Sequence, residues 1–253
     1  MDLGLGGRRA IVTGGSKGIG RRIADCLADE GCDVSICARE PAGVDDAVAA
    51  LGAKGVRAFG TSLDVANKAA LEAWVEDSVA RLGGLDIVVA NVSALAGQPT
   101  EEAWQQQFEI DVLHTVRVVS AALPHLERSD AGSIVVISSV SGREFDFFSG
   151  PSGATKAALI HYAGGLARQL AGKGIRVNTV SPGNIYFAGG VWPRIERDMP
   201  EMFAQALALN PTGRMGTPEE VARGAVFLAS PASGFTTGTD LIIDGALTRG
   251  IQF

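Results

Sequence analysis

Short runs of Val, Ile and Leu alternate along the chain with longer stretches in which apolar residues recur every three or four positions. The first pattern marks buried strands and the second amphipathic helices. The short runs predict seven strands, at 9–13, 33–38, 56–62, 85–90, 133–138, 176–181 and 241–243. Between them, Ile19, Ile23 and Leu27 fall on one helical face, as do Leu71, Trp74, Val75, Val79 and Leu82. Val112, Val116, Val119 and Leu123 form a third stripe, and Leu159, Ala163, Leu166 and Leu170 a fourth. Such stripes are the sides of helices that pack on a sheet. Strands alternating with helices imply βαβ crossovers and hence a doubly wound, mainly parallel α/β sheet flanked by helices. No repeat, low-complexity tract or linker divides the chain, so residues 1–253 are expected to form a single domain; the longest irregular stretch is 182–200. In such sheets ligands bind at the carboxyl ends of the strands, so the residues just after each strand are the ones to read for function.

After the first strand comes Thr13-Gly14-Gly15-Ser16-Lys17-Gly18-Ile19-Gly20, which opens directly into a helix. Glycines here allow a tight turn and let the backbone approach a pyrophosphate, whose oxygens then meet the unpaired N–H groups of the helix N-terminus. The order continues with Leu63-Asp64-Val65, Asn91, Ile137-Ser138-Ser139, Ser181-Pro182-Gly183, Thr237-Gly238 and Asp244-Gly245, each after or beside a strand. This series resembles the short-chain dehydrogenase/reductase family over nearly the whole chain and implies its Rossmann-like fold and a nicotinamide dinucleotide. The resemblance places Gly14, Ser16, Lys17, Gly18, Ile19 and Gly20 around the pyrophosphate, Asp64 and Val65 at the adenine and Asn91 near the ribose. It also places Lys156, Pro182, Gly183 and Ile185 along the nicotinamide half.

Charge at the end of the second strand distinguishes the two nicotinamide nucleotides. A carboxylate there accepts hydrogen bonds from the ribose 2′-OH, whereas a guanidinium accommodates a 2′-phosphate. The sequence reads Ile36-Cys37-Ala38-Arg39, with no acid at the strand end. Lys17 adds a second cation on the same side by resemblance, so NADP(H) is favoured over NAD(H).

The family's usual catalytic set is a Ser, a Tyr and a Lys, the last two four apart on one helix, with an Asn from the preceding long helix. A lysine one helical turn from a phenol lowers its pKa and lets it pass a proton. Here Ser139 and Lys156 match, but position 152 is Ser152 and position 111 is Asp111. A register of seven before the lysine lands on Ser149, so neither spacing supplies a tyrosine. An alkanol hydroxyl is a far weaker acid than a phenol, which makes Ser152 a poor direct donor. Asp111, when ionised, accepts hydrogen bonds but donates none, and it would sit near Lys156. Phe187 stands where a threonine commonly meets the nicotinamide amide. The proton must then come from a water held by Ser139, Ser152 and Lys156, from Lys156 itself, or from Tyr186. Tyr162 points to another helix face and reads as packing.

The substrate cleft is expected between Ser139 and Ser152 and in the loop after the sixth strand. Phe145, Phe147, Phe148, Tyr186, Phe187 and Trp192 cluster there in a chain only 6% aromatic. That clustering suggests an apolar or aromatic small-molecule substrate, although aromatics closing a subunit interface explain it equally. Arg143, Glu144 and Asp146 are assigned no role. By resemblance, the helices at 108–127 and 152–170 pair across a homodimer or homotetramer, with Ala157, Ala158 and Ala167 small enough for close approach.

A formal net charge of −6 offers no electrostatic reason for a nucleic-acid or anionic-membrane partner. The three cysteines, Cys26, Cys32 and Cys37, form no C-x-x-C pair and have no nearby histidine cluster, so they read as reduced structural thiols, with no metal expected. The start of the chain lacks a basic segment followed by an apolar one, and no apolar run reaches the roughly 18 residues of a membrane helix. A cytoplasmic location is expected. The leading reading is an NADP(H)-dependent oxidoreductase acting on a carbonyl or related unsaturated group. A non-redox lyase or isomerase using Asp111 and Lys156, and a catalytically inactive nucleotide-binding protein, are the alternatives on the same scaffold.

Overall fold

The seven apolar runs fold as strands β1 (Arg9–Thr13), β2 (Asp33–Ala38), β3 (Ala58–Ser62), β4 (Ile87–Ala90), β5 (Ser133–Ile137), β6 (Arg176–Pro182) and β7 (Asp240–Ile243). This is a computed structural model, and it describes residues 2–96, 98–147 and 149–250. All seven strands lie parallel in one sheet, in the order β3-β2-β1-β4-β5-β6-β7. Every residue of β4 and β5 is buried, which explains why these strands read as unbroken apolar runs rather than alternating ones.

Successive side chains along a strand point to opposite faces, and each face builds its own core. Ala10, Val12, Val34, Ile36 and Val135 pack with α1 (Gly18–Asp29), α2 (Pro41–Gly52) and α9 (Pro218–Ala229). On the opposite face, Ile11, Val88, Ala90, Ile134 and Val136 pack with α3 (Lys68–Leu82), α5 (His114–Leu126) and α6 (Pro151–Leu170). Local chemistry fixes the helix ends. The Asn67 side chain accepts from the Ala70 N–H to start α3, and Thr217 and Glu220 form a reciprocal capping box at α9. At the far end of α9 the Arg176 guanidinium donates to the Leu228, Ala229 and Ser230 carbonyls, satisfying acceptors that a helix C-terminus leaves open. Cys32 and Cys37 are buried, and burial pushes the Cys37 thiol up to about 12, which leaves it inert at neutral pH.

Two expectations need correcting. The segment 182–200 is not irregular throughout, because Val191–Asp198 forms α7, which packs on α8 (Pro200–Leu209) around Trp192, Ile195, Ala206 and Met215. The helix expected at 108–127 is not uniformly α-helical either. It begins as α4 (Glu101–Gln107), passes through a π-helical turn at Phe108–Leu113 and resumes as α5. Such turns shift the side-chain register and are common at functional sites.

The order of strands reverses between β1 and β4. The glycine loop leaves β1 there, and Asn91 follows β4, so both lie at the topological switch point where open α/β sheets bind ligands. Among the described residues no helix is long and apolar enough to cross a membrane.

Candidate active site

The glycine loop is held in place by β4. The Asn91 N–H donates to Thr13 Oγ1 at 3.0 Å, and its carboxamide Nδ2 donates to the Thr13 carbonyl at 3.1 Å. The glycines leave no room for side chains: a Cβ on Gly15 would come within 2.5 Å of Ile36, and one on Gly20 within 2.4 Å of the Gly14 carbonyl oxygen. Gly14 and Gly18 have φ of +68° and +58°, a conformation that only glycine adopts readily. The loop delivers the backbone to the start of α1, whose N-cap residue Lys17 makes no side-chain cap and whose first turn carries no acid. An uncapped helix N-terminus behind a loop whose glycines admit no Cβ suits a pyrophosphate, so the residues present fit a dinucleotide.

Other expected cofactor residues occupy the same end of the sheet. Ser16 lies against Gly43, Ile19 packs on the core, and Asp64 is exposed just beyond β3, where its carboxylate accepts the Ala66 N–H. Val65 and Ile185 are buried, Pro182 ends β6, and the Gly183 N–H donates to the Ile243 carbonyl at 3.0 Å. Arg39 and Lys17 are both exposed, and neither forms an ion pair with a described residue. The Phe187 ring lies over the loop, where a Cβ on Gly18 would be 2.7 Å from it.

Across the sheet's carboxyl edge, Lys156 and Asp111 form a direct ion pair, Nζ to Oδ2 at 2.9 Å, with side chains 6% and 0% exposed. The π-helical turn brings Asp111 to this position. Its other oxygen accepts the Ala94 N–H at 2.9 Å, and Lys156 also donates to the Ile137 carbonyl at 3.2 Å. Both groups are therefore engaged with the protein itself. Ala94 precedes Leu95, which has φ of +53° and is 67% exposed; the next N–H, from Ala96, donates to Gln107 Oε1. Two side chains from the helix thus pin a strained loop at the rim of the site.

His114, which the sequence reading passed over, joins the two ends. It is fully buried, and burial pushes its pKa down to about 4, so it is neutral at physiological pH. Nδ1 is 3.0 Å from the Ile110 carbonyl, which can only accept, so the ring proton sits there. Nε2 must then accept from Thr13 Oγ1, also at 3.0 Å, the same hydroxyl that receives the Asn91 N–H. No periodicity distinguishes such a histidine from an ordinary core residue.

Ser139 lies just beyond β5, where its Oγ accepts the Ser141 N–H at 3.2 Å and bonds to Ser141 Oγ at 3.1 Å. Ser141 Oγ donates in turn to Asp146. Ser152 is half-buried in the first turn of α6, and its hydroxyl makes no hydrogen bond to a described residue. Tyr162 is half-buried, and burial raises its pKa. The loop charges left without a role are engaged as well. Arg143 pairs with Asp240 at 3.0 Å, and Glu144 accepts the Arg249 and Gly250 N–H groups, strapping the C-terminal segment to this loop.

A cleft of about 530 Å³ is lined by Val140, Phe145, Asp146, Phe147, Leu209 and Leu247 among others; Ser139, which precedes Val140, is not among the lining residues, and neither are Ser152 and Lys156. Phe145 is fully exposed and Phe147 39% exposed. Tyr186 faces a different partner: its hydroxyl donates to Glu196 at 2.5 Å, a bond that raises its pKa and weakens it as an acid. Trp192, expected in the cleft wall, is instead buried against Phe203 between α7 and α8, because an indole one turn before Ile195 completes that small core. Phe148 lies outside the described residues. On the outer face of α6, Ala157 and Ala158 are exposed, but Ala167 faces the sheet and is buried. Among the described residues no cluster of His, Cys, Asp and Glu could hold a metal ion.

Comparison with known proteins gives this geometry a context. A family model described as enoyl-(acyl carrier protein) reductase matches residues 14–248. The chain is 41% identical to the isoepoxydon dehydrogenase of Penicillium expansum, over 100% of this chain and 99% of that one. Among solved structures it resembles L-sorbose reductase from Gluconobacter frateurii complexed with NADPH and L-sorbose, with a TM-score of 0.91 and 29% identity over 99% of this chain and 100% of that one. It also resembles an NADPH-bound short-chain oxidoreductase from Pseudomonas aeruginosa described as containing an atypical catalytic centre. That match has a TM-score of 0.87 and 32% identity, covering 96% and 98% of the two chains.

Proposed function

We propose that this chain, which belongs to the short-chain dehydrogenase/reductase family, is an NADP(H)-dependent oxidoreductase acting on a carbonyl or related unsaturated group of an apolar or aromatic small molecule. Residues 1–253 would serve as one dinucleotide-binding and catalytic domain. The observation that carries the reading is the pairing, at one sheet edge, of a loop whose glycines admit no Cβ, set at an uncapped helix N-terminus, with a buried Lys156 and a hydroxyl-bearing Ser139. When bound, the nicotinamide supplies or takes up a hydride. Gly14, Ser16, Lys17, Gly18, Ile19 and Gly20 would hold the pyrophosphate, Asp64 and Val65 the adenine, and Asn91, Lys156, Pro182, Gly183 and Ile185 the remainder.

Lys156, held by Asp111, sets a fixed positive centre beside the reacting atoms, while Ser139 contacts the substrate oxygen. Ser152 leaves room for water rather than acting as an acid itself. Phe145 and Phe147 would face the substrate, and their apolar surface favours a partner of the same character, whereas Phe187, expected with them, packs against the glycine loop instead. Two similar structures hold NADPH, and one relative is named a dehydrogenase, which agrees with redox chemistry in this site. We further propose a homodimer or homotetramer built on the outer face of α6, where Ala157, Ala158, Gly164 and Gly165 are exposed.

Preference for the phosphorylated nucleotide rests on Arg39 and Lys17, two cations free to meet a 2′-phosphate. Arg39→Ala is expected to weaken NADPH binding by about 1–3 kcal/mol, the range for a charge-assisted contact, and to leave NADH binding unchanged. Calorimetric titration of both nucleotides against both proteins checks this; NADH bound by the wild type as tightly as NADPH would contradict the preference. The Asp111–Lys156 pair gives a second reading some footing, in which the two groups act as base and acid without net redox. Product formed without NADPH oxidation would favour it.

A further inference from the structure

We propose that Ser141 and Asp146 continue Ser139 into a proton path to solvent, polarised to receive a proton from a substrate hydroxyl. The inference rests on the oxidoreductase reading above and supplies the route that a missing tyrosine leaves open.

The direction of each bond follows from what the groups can do. An ionised carboxylate only accepts, so the single Ser141 hydroxyl proton goes to Asp146 Oδ2. The Ser141 oxygen must then accept, and at 3.1 Å its donor is the Ser139 hydroxyl. Ser139 has thus committed its own proton outward, and one of its lone pairs takes the Ser141 N–H at 3.2 Å. What remains at Ser139 is a lone pair. It meets an alcohol O–H well and a carbonyl oxygen badly, so the resting site is set for oxidation. Asp146 lies on the wall of the cleft and is exposed, which lets the proton pass on to bulk water.

Competing routes are engaged elsewhere. Lys156 is locked between Asp111 and the Ile137 carbonyl, Tyr186 is bound to Glu196, and the His114 ring proton is held by Ile110. In the oxidation, the substrate C–H bond breaks with its electron pair leaving as hydride to the oxidised nicotinamide. The substrate O–H bond breaks and its proton goes to Ser139 Oγ. The Ser139 proton moves to Ser141 and the Ser141 proton to Asp146 Oδ2, leaving a ketone, neutral serines and a protonated Asp146. Reduction runs the same path inward from solvent.

Asp146→Ala tests the assignment, with turnover of phenylethanol and cyclohexenol by NADP+ as the measurement and NADPH affinity as the check on folding. The variant is expected to keep its NADPH affinity and lose roughly 100-fold in kcat, the lower end of what a positioned base contributes. Added formate, a small carboxylate, should restore kcat by roughly tenfold in Asp146→Ala and do nothing for Ser141→Ala, where the link upstream is cut. Should Asp146→Ala lose NADPH affinity, Asp146→Asn, which keeps the side chain's size, replaces it. An active wild type with Asp146→Ala within about threefold of it overturns the relay alone. A wild type that turns over neither alcohol with NADP+ nor the matching ketones with NADPH overturns the relay together with the oxidoreductase reading.

Discussion

Lys156→Ala is expected to lower turnover by about 100- to 1,000-fold, or about 2.7–4 kcal/mol in the barrier, because the fixed positive centre beside the reacting atoms is lost, and to destabilise the folded protein as well. The second effect comes from what is left behind. Asp111 is fully buried and pairs with Lys156 at 2.9 Å, so removing the ammonium strands a carboxylate with only the Ala94 N–H on its other oxygen. Breaking a buried pair in this way typically costs about 3–5 kcal/mol. The paired substitution Asp111→Asn with Lys156→Met, which removes both charges, should recover much of that stability in urea unfolding while leaving turnover low. Ser152→Ala should behave differently. Its half-buried hydroxyl holds no described partner, and the space it vacates admits water, so kcat should fall by less than about tenfold. A Lys156→Ala protein with unchanged kcat would remove this residue from the reaction.

Gly20→Ala is expected to eliminate nucleotide binding. The added Cβ would lie 2.4 Å from the Gly14 carbonyl oxygen, and 2.4 Å from the Asn91 carboxamide nitrogen that ties the loop to β4. Backbone cannot swing aside as a flexible side chain can, so the loop must move and the phosphate cradle with it. Overpacking of this kind costs about 1–3 kcal/mol in stability. The loss of NADPH affinity should exceed roughly 100-fold, because every loop N–H is displaced together. Gly52→Ala is the control, at the end of α2 with nothing within 4 Å of the new methyl. It should bind NADPH normally and be as stable as the wild type or more so by about 0.4–1 kcal/mol. Titration and thermal unfolding of both variants check the pair.

The sheet was legible because buried parallel strands are the simplest pattern a sequence can carry. All seven strands appear where the apolar runs place them, with ends shifted by a residue or two in β3 to β7; the sheet bonding runs on past the ends of β3 and β4, since the Arg57 carbonyl accepts the Val34 N–H and the Asp86 N–H donates to the Arg9 carbonyl. The glycine loop was legible for a related reason, since steric exclusion at Gly15 and Gly20 leaves only one residue type possible. The π-helical turn at Phe108–Leu113 was not, and the helix beyond it presents another face than expected: Val118, Val119, Ala122 and Leu126 pack on the sheet, whereas of Val112, Val116, Val119 and Leu123 only Val119 is fully buried. Yet that turn decides how Asp111 meets Lys156. Helix α7 was hidden by its brevity and by Pro193, and Trp192 looked like a cleft residue until Phe203 of α8 supplied its packing partner. Contacts made by loops folding back, such as Asp146 on Ser141 and Glu144 on the C-terminal segment, follow no period along the chain and left no trace in it.

In the proposed function, a site with Ser152 in place of tyrosine still supports redox chemistry with a nicotinamide. The most direct test follows the hydride itself. NADPH carrying deuterium at the transferable position of the nicotinamide is incubated with the protein and a panel of aromatic ketones and enones, and the products are read by mass spectrometry and NMR. One deuterium is expected in the product at the former carbonyl or alkene carbon, with one NADP+ formed for each product molecule. A product that forms without deuterium and without NADPH consumption would contradict it.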